Sequence, residues 1–390
     1  MTKTYPFRIC IVTNQYKSVK SGIGTYSKIM TDRLKNDYKV TIMCSDKEIT
    51  PEKDIKIISI NQSKIDPTPH KWVSFSYNVA KKIKDMQEEF DIIHFADARE
   101  ALFYSSNKLS IGNINDYYYA TASKNPFYYK DYGDWLKRYF YCNFVFYLEK
   151  IALSHLSIII PNSDYVSKII KNNYNISEDR IYAIHKSVDY RRFGKKSEIK
   201  KETFPIILFV GGNFFRKGLP SLIKATPEVI KKFPNTLVYI IGKDKNEKKI
   251  VSLCKKYNVI KNYKFLDWVS YEKIVNYYKI ADVFVMPSLI EAFGIVFLEA
   301  MAAGVPVIGG NVGGTKELIQ NEENGLLVNP NDHKKIASSI IRLLENNVLR
   351  KKIIENGYKT IKKYSAESMV SKTIELYRNL SSHHISEKSK

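Results

Sequence analysis

The chain has 390 residues, 44% of them hydrophobic, and carries a formal net charge of +22 with only four cysteines. That length accommodates two domains with separate cores, and no run of about eighteen apolar residues offers a transmembrane helix. The cysteines (Cys10, Cys44, Cys142 and Cys254) lack metal-ligand spacing and read as reduced core residues, which excludes a disulfide scaffold or a zinc module. Met1–Arg8 runs straight into a strand without a signal-peptide layout, so a cytoplasmic location is expected. The positive balance favours anionic partners such as phosphorylated ligands or an acidic membrane surface. A composition rich in Lys, Asn, Ile and Tyr together accounts for the charge equally well. No zinc-finger or RNA-binding sheet motif is present, so nucleic acid is not expected as a partner.

In chain order, Arg8–Thr13 reads as a buried parallel strand. Lys20-Ser21-Gly22-Ile23-Gly24 then opens a helix through Leu34. Val40–Met43 and Ile55–Ile60 are predicted strands, and Lys71–Glu89 is helix-like. Asp91–Phe95 is a strand that carries His94 and is followed by Asp97. Leu109–Asp116 is a strand with Asn115 and Asp116 at its polar end. Trp135–Leu156 is a helix rich in Phe, Tyr and Leu. Ser157–Ile160 is a strand ending on Pro161-Asn162-Ser163, and Ile181–Ile184 follows. The basic stretch Arg191–Glu202 is the best linker, which sets a first domain at 1–195 and a second at 203–365. The second alternation has predicted strands at Ile206–Val210, Thr236–Gly242, Val259–Leu266, Val283–Met286 and Val305–Ile308. Helices are predicted at Lys334–Leu344, Val348–Lys362 and Ala366–Leu380, and the polar tail 381–390 is expected to fray. Alternating strands and helices imply an α/β chain with doubly wound parallel sheets.

The most informative residues are Glu291 and Glu299, in Ser288-Leu289-Ile290-Glu291-Ala292-Phe293-Gly294-Ile295-Val296-Phe297-Leu298-Glu299. The apolar run Val283–Met286 makes this a strand, a turn and a helix opening near Phe293 or Gly294. Glu291 then falls at the carboxyl end of a strand, where open α/β sheets place ligands. The free N–H groups of Phe293, Gly294, Ile295 and Val296 at a helix N-terminus are a natural seat for phosphate. Glu299 lies about a turn and a half further on, and both carboxylates can accept hydrogen bonds from hydroxyls. Phosphate at the helix end and hydroxyls on two carboxylates describe a nucleotide sugar. A solvated helix face is the plainer explanation of two Glu at this spacing. After the strand Ile206–Val210, Arg216 and Lys217 precede Gly218 and can clamp a diphosphate, Arg as a fork and Lys as a point charge.

The ordered segments Glu-Ala-Phe-Gly-Ile-Val, Glu-Ala-Met-Ala-Ala-Gly-Val-Pro-Val-Ile, Gly313-Gly314 and Glu317-Leu318-Ile319 closely resemble the donor site of family 4 glycosyltransferases. These are retaining, nucleotide-sugar-dependent enzymes of the GT-B type, and the resemblance runs over nearly the whole chain. It implies two Rossmann-like domains facing a central cleft, with Ala366–Leu380 crossing back to the first. It nominates Glu291, Lys217, Arg216 and Asp116 as catalytic, with Arg216 and Lys217 on the donor diphosphate. Glu291 would bind sugar hydroxyls and Glu299 the ribose. Gly22 and Gly24 would approach the donor phosphates, and Gly242 and Phe265–Val269, Val269 included, would receive the base. His94, Asp97, Asn115, Asp116, Asn162 and Ser163 end first-domain strands and would line the acceptor side, with a hydrogen-bonded structural role the plainer reading of His94. No metal and no organic cofactor is expected, because cationic residues can stand at the diphosphate instead.

Three positions depart from familiar patterns. Ser27 replaces the third glycine of a dinucleotide fingerprint, which argues against a nicotinamide dehydrogenase. Gly212 stands where many family members carry arginine, and Arg216 compensates in this reading. Asn115 replaces the histidine of a His-Asp pair, so it can bond sugar hydroxyls but not act as acid or base. Trp268 reads as core packing slightly ahead of base stacking. Tyr117–Tyr119, Phe127–Tyr129, Tyr132 and Trp135, with Lys130, Lys137 and Arg138, form an aromatic and basic cluster. Core packing explains it, and so does peripheral binding to an anionic membrane that carries a lipid-linked acceptor. The alternatives left open are a GT-B phosphorylase, epimerase or sugar-phosphate synthase, and a basic binding protein without catalysis.

Overall fold

The structure, a computed structural model, describes residues 6–16, 22–46, 51–63, 70–122, 135–194 and 198–388, with no side-chain description at 70, 135 and 381–388. Lys20, Ser21, Phe127–Tyr129, Lys130, Tyr132 and the Trp135 side chain therefore lie outside the described residues. The chain divides into two compact units, Met1–His185 with Met369–Lys390, and Lys186–Ser368. The break falls upstream of the predicted linker because Arg191–Gly194 is packed, not loose. Tyr190–Gly194 is a 3₁₀ turn, Phe193 is buried in the core of the second unit, and Val188 N–H bonds the Tyr364 carbonyl.

The first unit holds β1 (Arg8–Thr13), α1 (Gly22–Leu34), β2 (Lys39–Cys44), β3 (Ile55–Ser59), α2 (His70–Met86), β4 (Ile92–Phe95), β5 (Leu109–Ile114), α3 (Tyr118–Ala122), α4 (Trp135–Ser154), β6 (Ile158–Pro161) and α5 (Asp164–Tyr174). Its parallel sheet has the order β3-β2-β1-β4-β5-β6. β1, β4, β5 and β6 are buried at nearly every position because helices cover both faces. Gly22 and Gly24 sit in the first turn of α1. Ile181–Ile184 forms no strand; Ile181 makes a single parallel bridge to Ile159.

The second unit holds β7 (Ile206–Val210), α6 (Leu219–Lys232), β8 (Leu237–Ile241), α7 (Glu247–Lys256), β9 (Tyr263–Phe265), α8 (Ile274–Ile280), β10 (Val283–Met286), α9 (Ile295–Ala302), β11 (Val307–Gly310), α10 (Thr315–Leu318), β12 (Leu326–Val328), α11 (His333–Glu345) and α12 (Asn347–Lys363). Its parallel sheet has the order β12-β11-β10-β7-β8-β9. This is the doubly wound order again, with the reversal of strand order between β7 and β10. β12 was not predicted, since its three residues are too short for a periodic signal. α13 (Ala366–Lys388) enters the first core through Met369, Val370, Leu376 and Tyr377. Its bounds reach Lys388, past the predicted end at Leu380, and no Pro or Gly interrupts 381–388.

Candidate active site

The site is built where β7 and β10 lie side by side, so the loops after them flank the switch point of the second sheet. After β7 the chain turns through Gly211 (φ 149°) and Asn213 (φ 52°), then reaches Arg216, Lys217 and Gly218 (φ 79°), which caps α6. Gly218 has to be glycine twice over. Its φ is left-handed, and a Cβ there would overlap the Pro287 carbonyl that ends the neighbouring strand. Leu289 N–H donates to the Arg216 carbonyl at 2.8 Å, so the two loops are also stitched by backbone.

Across this junction Lys217 Nζ donates to Glu291 Oε2 at 2.5 Å, and Ser288 Oγ donates to the same oxygen at 3.2 Å. Glu291 is buried and Lys217 largely so. The ammonium has three donors, so it can hold Glu291 and an anionic ligand together. Gly294 (φ 95°) caps α9 and could not carry a side chain, because a Cβ would lie 2.6 Å from the Phe297 ring. The N–H groups of Ile295 and Val296 open the helix immediately beyond Glu291. Gly314 N–H bonds the Glu291 carbonyl at 2.9 Å, and a Cβ on Gly314 would overlap the Ala292 carbonyl.

Glu299 is held further along α9. Tyr278 Oη donates to its Oε2 at 2.8 Å, and Arg192 Nη1 lies 3.7 Å from its Oε1. Burial pushes the Glu299 carboxyl up from its usual range, while Arg192 and the Tyr278 hydroxyl pull it down. The Arg192 guanidinium stacks 3.2 Å from the centroid of Tyr271 and donates to the Tyr271 carbonyl. On the β8 side, Gly242 (φ 130°) donates its N–H to the Asp267 carbonyl at 2.7 Å, and a Cβ there would stand 2.5 Å from the Gly211 carbonyl oxygen. Val269 is half-buried. Trp268 is not a core residue; it is 61% exposed and borders the space that a side chain on Gly212 would fill.

The polar residues ending the first sheet are engaged differently. His94 is buried, with Nε2 at 3.1 Å from Tyr26 Oη and 3.0 Å from Asn113 Nδ2, and Nδ1 at 2.6 Å from Tyr377 Oη. An amide nitrogen can only donate, so Nε2 accepts and Nδ1 carries the proton. His94 thus ties α1, β5 and α13 together. Asp97 caps the 3₁₀ turn Ala98–Ala101 and is ion-paired to Arg99. Ser163 caps α5 through Val166 N–H at 3.1 Å. Asn115 donates to the Ala96 carbonyl at 2.9 Å, and Asn162 donates to the Asn115 carbonyl at 2.7 Å. Asp116 accepts from Tyr118 N–H at 3.2 Å. Asn115 and Asp116 stay half-exposed, whereas Asn162 is buried.

Residues 191–360 match the family described as glycosyl transferases group 1, a span that contains Arg192, Lys217, Glu291 and Glu299. An uncharacterised glycosyltransferase of Methanocaldococcus jannaschii is 28% identical over 393 residues, covering 95% of this chain and 98% of that protein. A GDP-mannose-dependent monoacylated alpha-(1-6)-phosphatidylinositol monomannoside mannosyltransferase of Corynebacterium glutamicum is 32% identical over 220 residues, which is 52% of this chain and 56% of its own length. Sucrose-phosphate synthase from Thermosynechococcus elongatus superposes with a TM-score of 0.81 at 19% identity, covering 97% of this chain and 100% of that one. The fold is GT-B. The family match and the relatives support glycosyltransferase activity.

Within this GT-B chain several partners were not legible beforehand. Arg192 was read as linker, and nothing in its spacing connects it to Glu299 or Tyr271. In the first unit Glu100 is buried, with Oε1 accepting from Asn14 N–H at 2.8 Å and Oε2 without a hydrogen bond. Burial, reinforced by Asp97, holds its carboxyl well above the usual range. Glu149 is buried against the Tyr174 hydroxyl, and burial pushes its carboxyl up to about 7. An acid inside an aromatic helix was the available signal for Glu149.

Proposed function

We propose that the protein is a retaining glycosyltransferase of family 4 that moves a hexose-type sugar from a nucleotide diphosphate to an acceptor hydroxyl, in glycan or glycolipid biosynthesis. The observation that carries this reading is the Lys217–Glu291 pair at the switch point, 2.5 Å long and directly ahead of the α9 N-terminus. The diphosphate seats on Arg216, Lys217 and the N–H groups of Ile295 and Val296. As the bond from the sugar's anomeric carbon to the phosphate oxygen breaks, negative charge grows on the leaving diphosphate. These groups are already in place to stabilise it. Glu291 accepts hydrogen bonds from the sugar hydroxyls, and Glu299 from the ribose. Gly242 and Val269 offer backbone to the base, with Trp268 beside them.

The acceptor hydroxyl attacks on the face the diphosphate leaves, and its proton passes to the departing phosphate oxygen. Configuration is then retained without a histidine, which fits Asn115. Asp116 orients the acceptor hydroxyl in this reading. Neither a metal nor an organic cofactor takes part in it. The mannosyltransferase relative's name supports a lipid-linked acceptor, and with it a seat on the inner face of a membrane.

Calorimetry with UDP, GDP and ADP sugars tests the proposal. Lys217→Ala should weaken the preferred donor by about 1.5–3 kcal/mol, the scale of charged hydrogen bonds. Glu291→Ala should lose affinity for the nucleotide sugar but bind the bare nucleoside diphosphate nearly as wild type does. Donor binding and kcat/KM unchanged in both variants would refute the assignment.

A further inference from the structure

Asp116 is backed by a chain of largely buried side chains that the donor site does not use. Its carboxylate accepts from Tyr118 N–H at 3.2 Å, at the start of α3. The ring of the next residue, Tyr119, faces the Arg99 guanidinium with its centroid 5.8 Å away. Arg99 in turn engages both oxygens of Asp97, with Nε donating to Oδ1 at 2.9 Å and Nη2 to Oδ2. The Arg99 side chain is 23% exposed and that of Asp97 9%. A planar fork on a carboxylate, set against an aromatic ring, is an arrangement that lysine could not reproduce. Arg99 thus links the turn after β4 to α3, and α3 to Asp116.

Helix α4 closes the cluster. It buries Cys142, Val145, Glu149 and Ala152, while Leu136, Phe140, Phe144 and Tyr147 on its other face are exposed. Glu149 accepts from the Tyr174 hydroxyl of α5, and Phe146 lies 4.8 Å from the same ring. The groups that act on Glu149 come from every element around it. They are Asp97 and Arg99 from the turn after β4, Asp116 from the end of β5, Tyr119 from α3 and Tyr174 from α5. One guanidinium therefore serves three carboxyl groups, those of Asp97, Asp116 and Glu149. Arg99 keeps its charge at any ordinary pH. Burial keeps Glu149 protonated up to about pH 7, and above that the guanidinium gains a further negative neighbour.

We propose that Arg99 is a positioning residue for the acceptor step: through Tyr119 its guanidinium fixes α3, and so holds Asp116 in the orientation the acceptor hydroxyl needs. This rests on Asp116 being the residue that orients that hydroxyl. Arg99 touches neither the acceptor nor the reacting atoms and acts only through Asp116. Ionisation of Glu149 competes for the same guanidinium and loosens its hold, so acceptor use falls on the alkaline side of neutrality. Nucleotide binding is untouched, because Lys217, Glu291 and Glu299 belong to the second unit.

The test uses the full chain and two readouts. Transfer is followed as nucleoside diphosphate release from UDP-glucose, GDP-mannose and ADP-glucose, with octyl glucoside and octyl mannoside as acceptors. Arg99→Met should lower kcat/KM for the acceptor by about tenfold or more, with UDP and GDP affinity kept within about twofold. Where Arg99→Met fails to fold, Tyr119→Leu makes the same test, and Tyr119→Phe should match wild type. Wild-type kcat/KM should fall above about pH 7, and Glu149→Gln should remove that fall. A purely structural ion pair would lower the melting temperature and leave the pH profile alone. The second readout needs no substrate. In protein carrying ¹⁵N-tyrosine, the Tyr118 amide, assigned with Tyr118→Phe, should shift with a midpoint of about 7 in wild type and stay flat in Glu149→Gln. A Tyr118 amide indifferent to pH near 7, or acceptor kcat/KM unchanged in Tyr119→Leu, overturns the proposal. A titrating amide in a protein that transfers none of these sugars would support the hold of Arg99 on Asp116 and count against the proposed function instead.

Discussion

The two sheets share one strand order, and each has a glutamate spanning its switch point. In the second unit Glu291, after β10, meets the ammonium of Lys217, which follows β7. In the first, Glu100 follows β4 and accepts from the backbone N–H of Asn14, which follows β1. The outcome is opposite. One glutamate is part of an ion pair poised for an anionic ligand. The other is an internal strut, buried deeply enough that its carboxyl resists ionisation. Topology supplies the same place twice, and the side chains entering it decide what it does. Arg216-Lys217 after β7 and Asn14-Gln15 after β1 are that difference.

The contrast breaks most sharply at Gly218. Gly218→Ala would force a left-handed φ on alanine and drive its Cβ into the Pro287 carbonyl, so it should cost at least about 3 kcal/mol. Gly194→Ala meets nothing within 4 Å and should stay within about 0.5 kcal/mol. Thermal unfolding of the two variants measures this. Equal melting temperatures would mean that the β7 and β10 loops are not locked together.

The first unit can be tested through its buried acids. The Glu149 carboxyl is raised to about 7 by burial, so the folded state holds its proton more tightly than the unfolded state. Its contribution is complete below the ordinary value of 4.5 and is lost as pH rises through about 7. Glu149→Gln should therefore flatten the fall in stability between those pH values. It should gain on the order of 2–3 kcal/mol relative to wild type at pH 8 compared with pH 4. Denaturant titrations across pH decide it, and parallel curves for the two proteins would show that Glu149 is not the group responsible.

The smallest effect sharpens the comparison within the second unit. Arg192 is the cation opposing the buried Glu299 carboxylate. Arg192→Met should push that carboxyl further up, weaken nucleoside diphosphate binding by about 1 kcal/mol near neutrality, and move the acid limb of binding to higher pH. Arg192→Lys keeps the charge but not the stack on Tyr271, so it should recover the pH limb better than the affinity. Identical binding profiles in wild type and Arg192→Met would leave Arg192 with a packing role alone.

Sequence by itself determined the alternating α/β plan, because buried parallel strands are short continuous apolar runs. β1, β7 and β10 were readable residue for residue. It also located the Arg216–Gly218 and Glu291–Val296 loops, since glycine at left-handed φ between a strand and a helix is a local signal. Tertiary structure alone decided which polar groups remain available. His94 is taken up by Tyr377, 283 residues later, and Glu299 keeps an oxygen 3.7 Å from Arg192, which composition marked as linker. Such partners are set by packing between distant segments, and no spacing in the chain encodes them. The same limit applies to α4. An apolar pattern shows that a helix wants cover, but only the folded unit reveals that one face found it and the other did not.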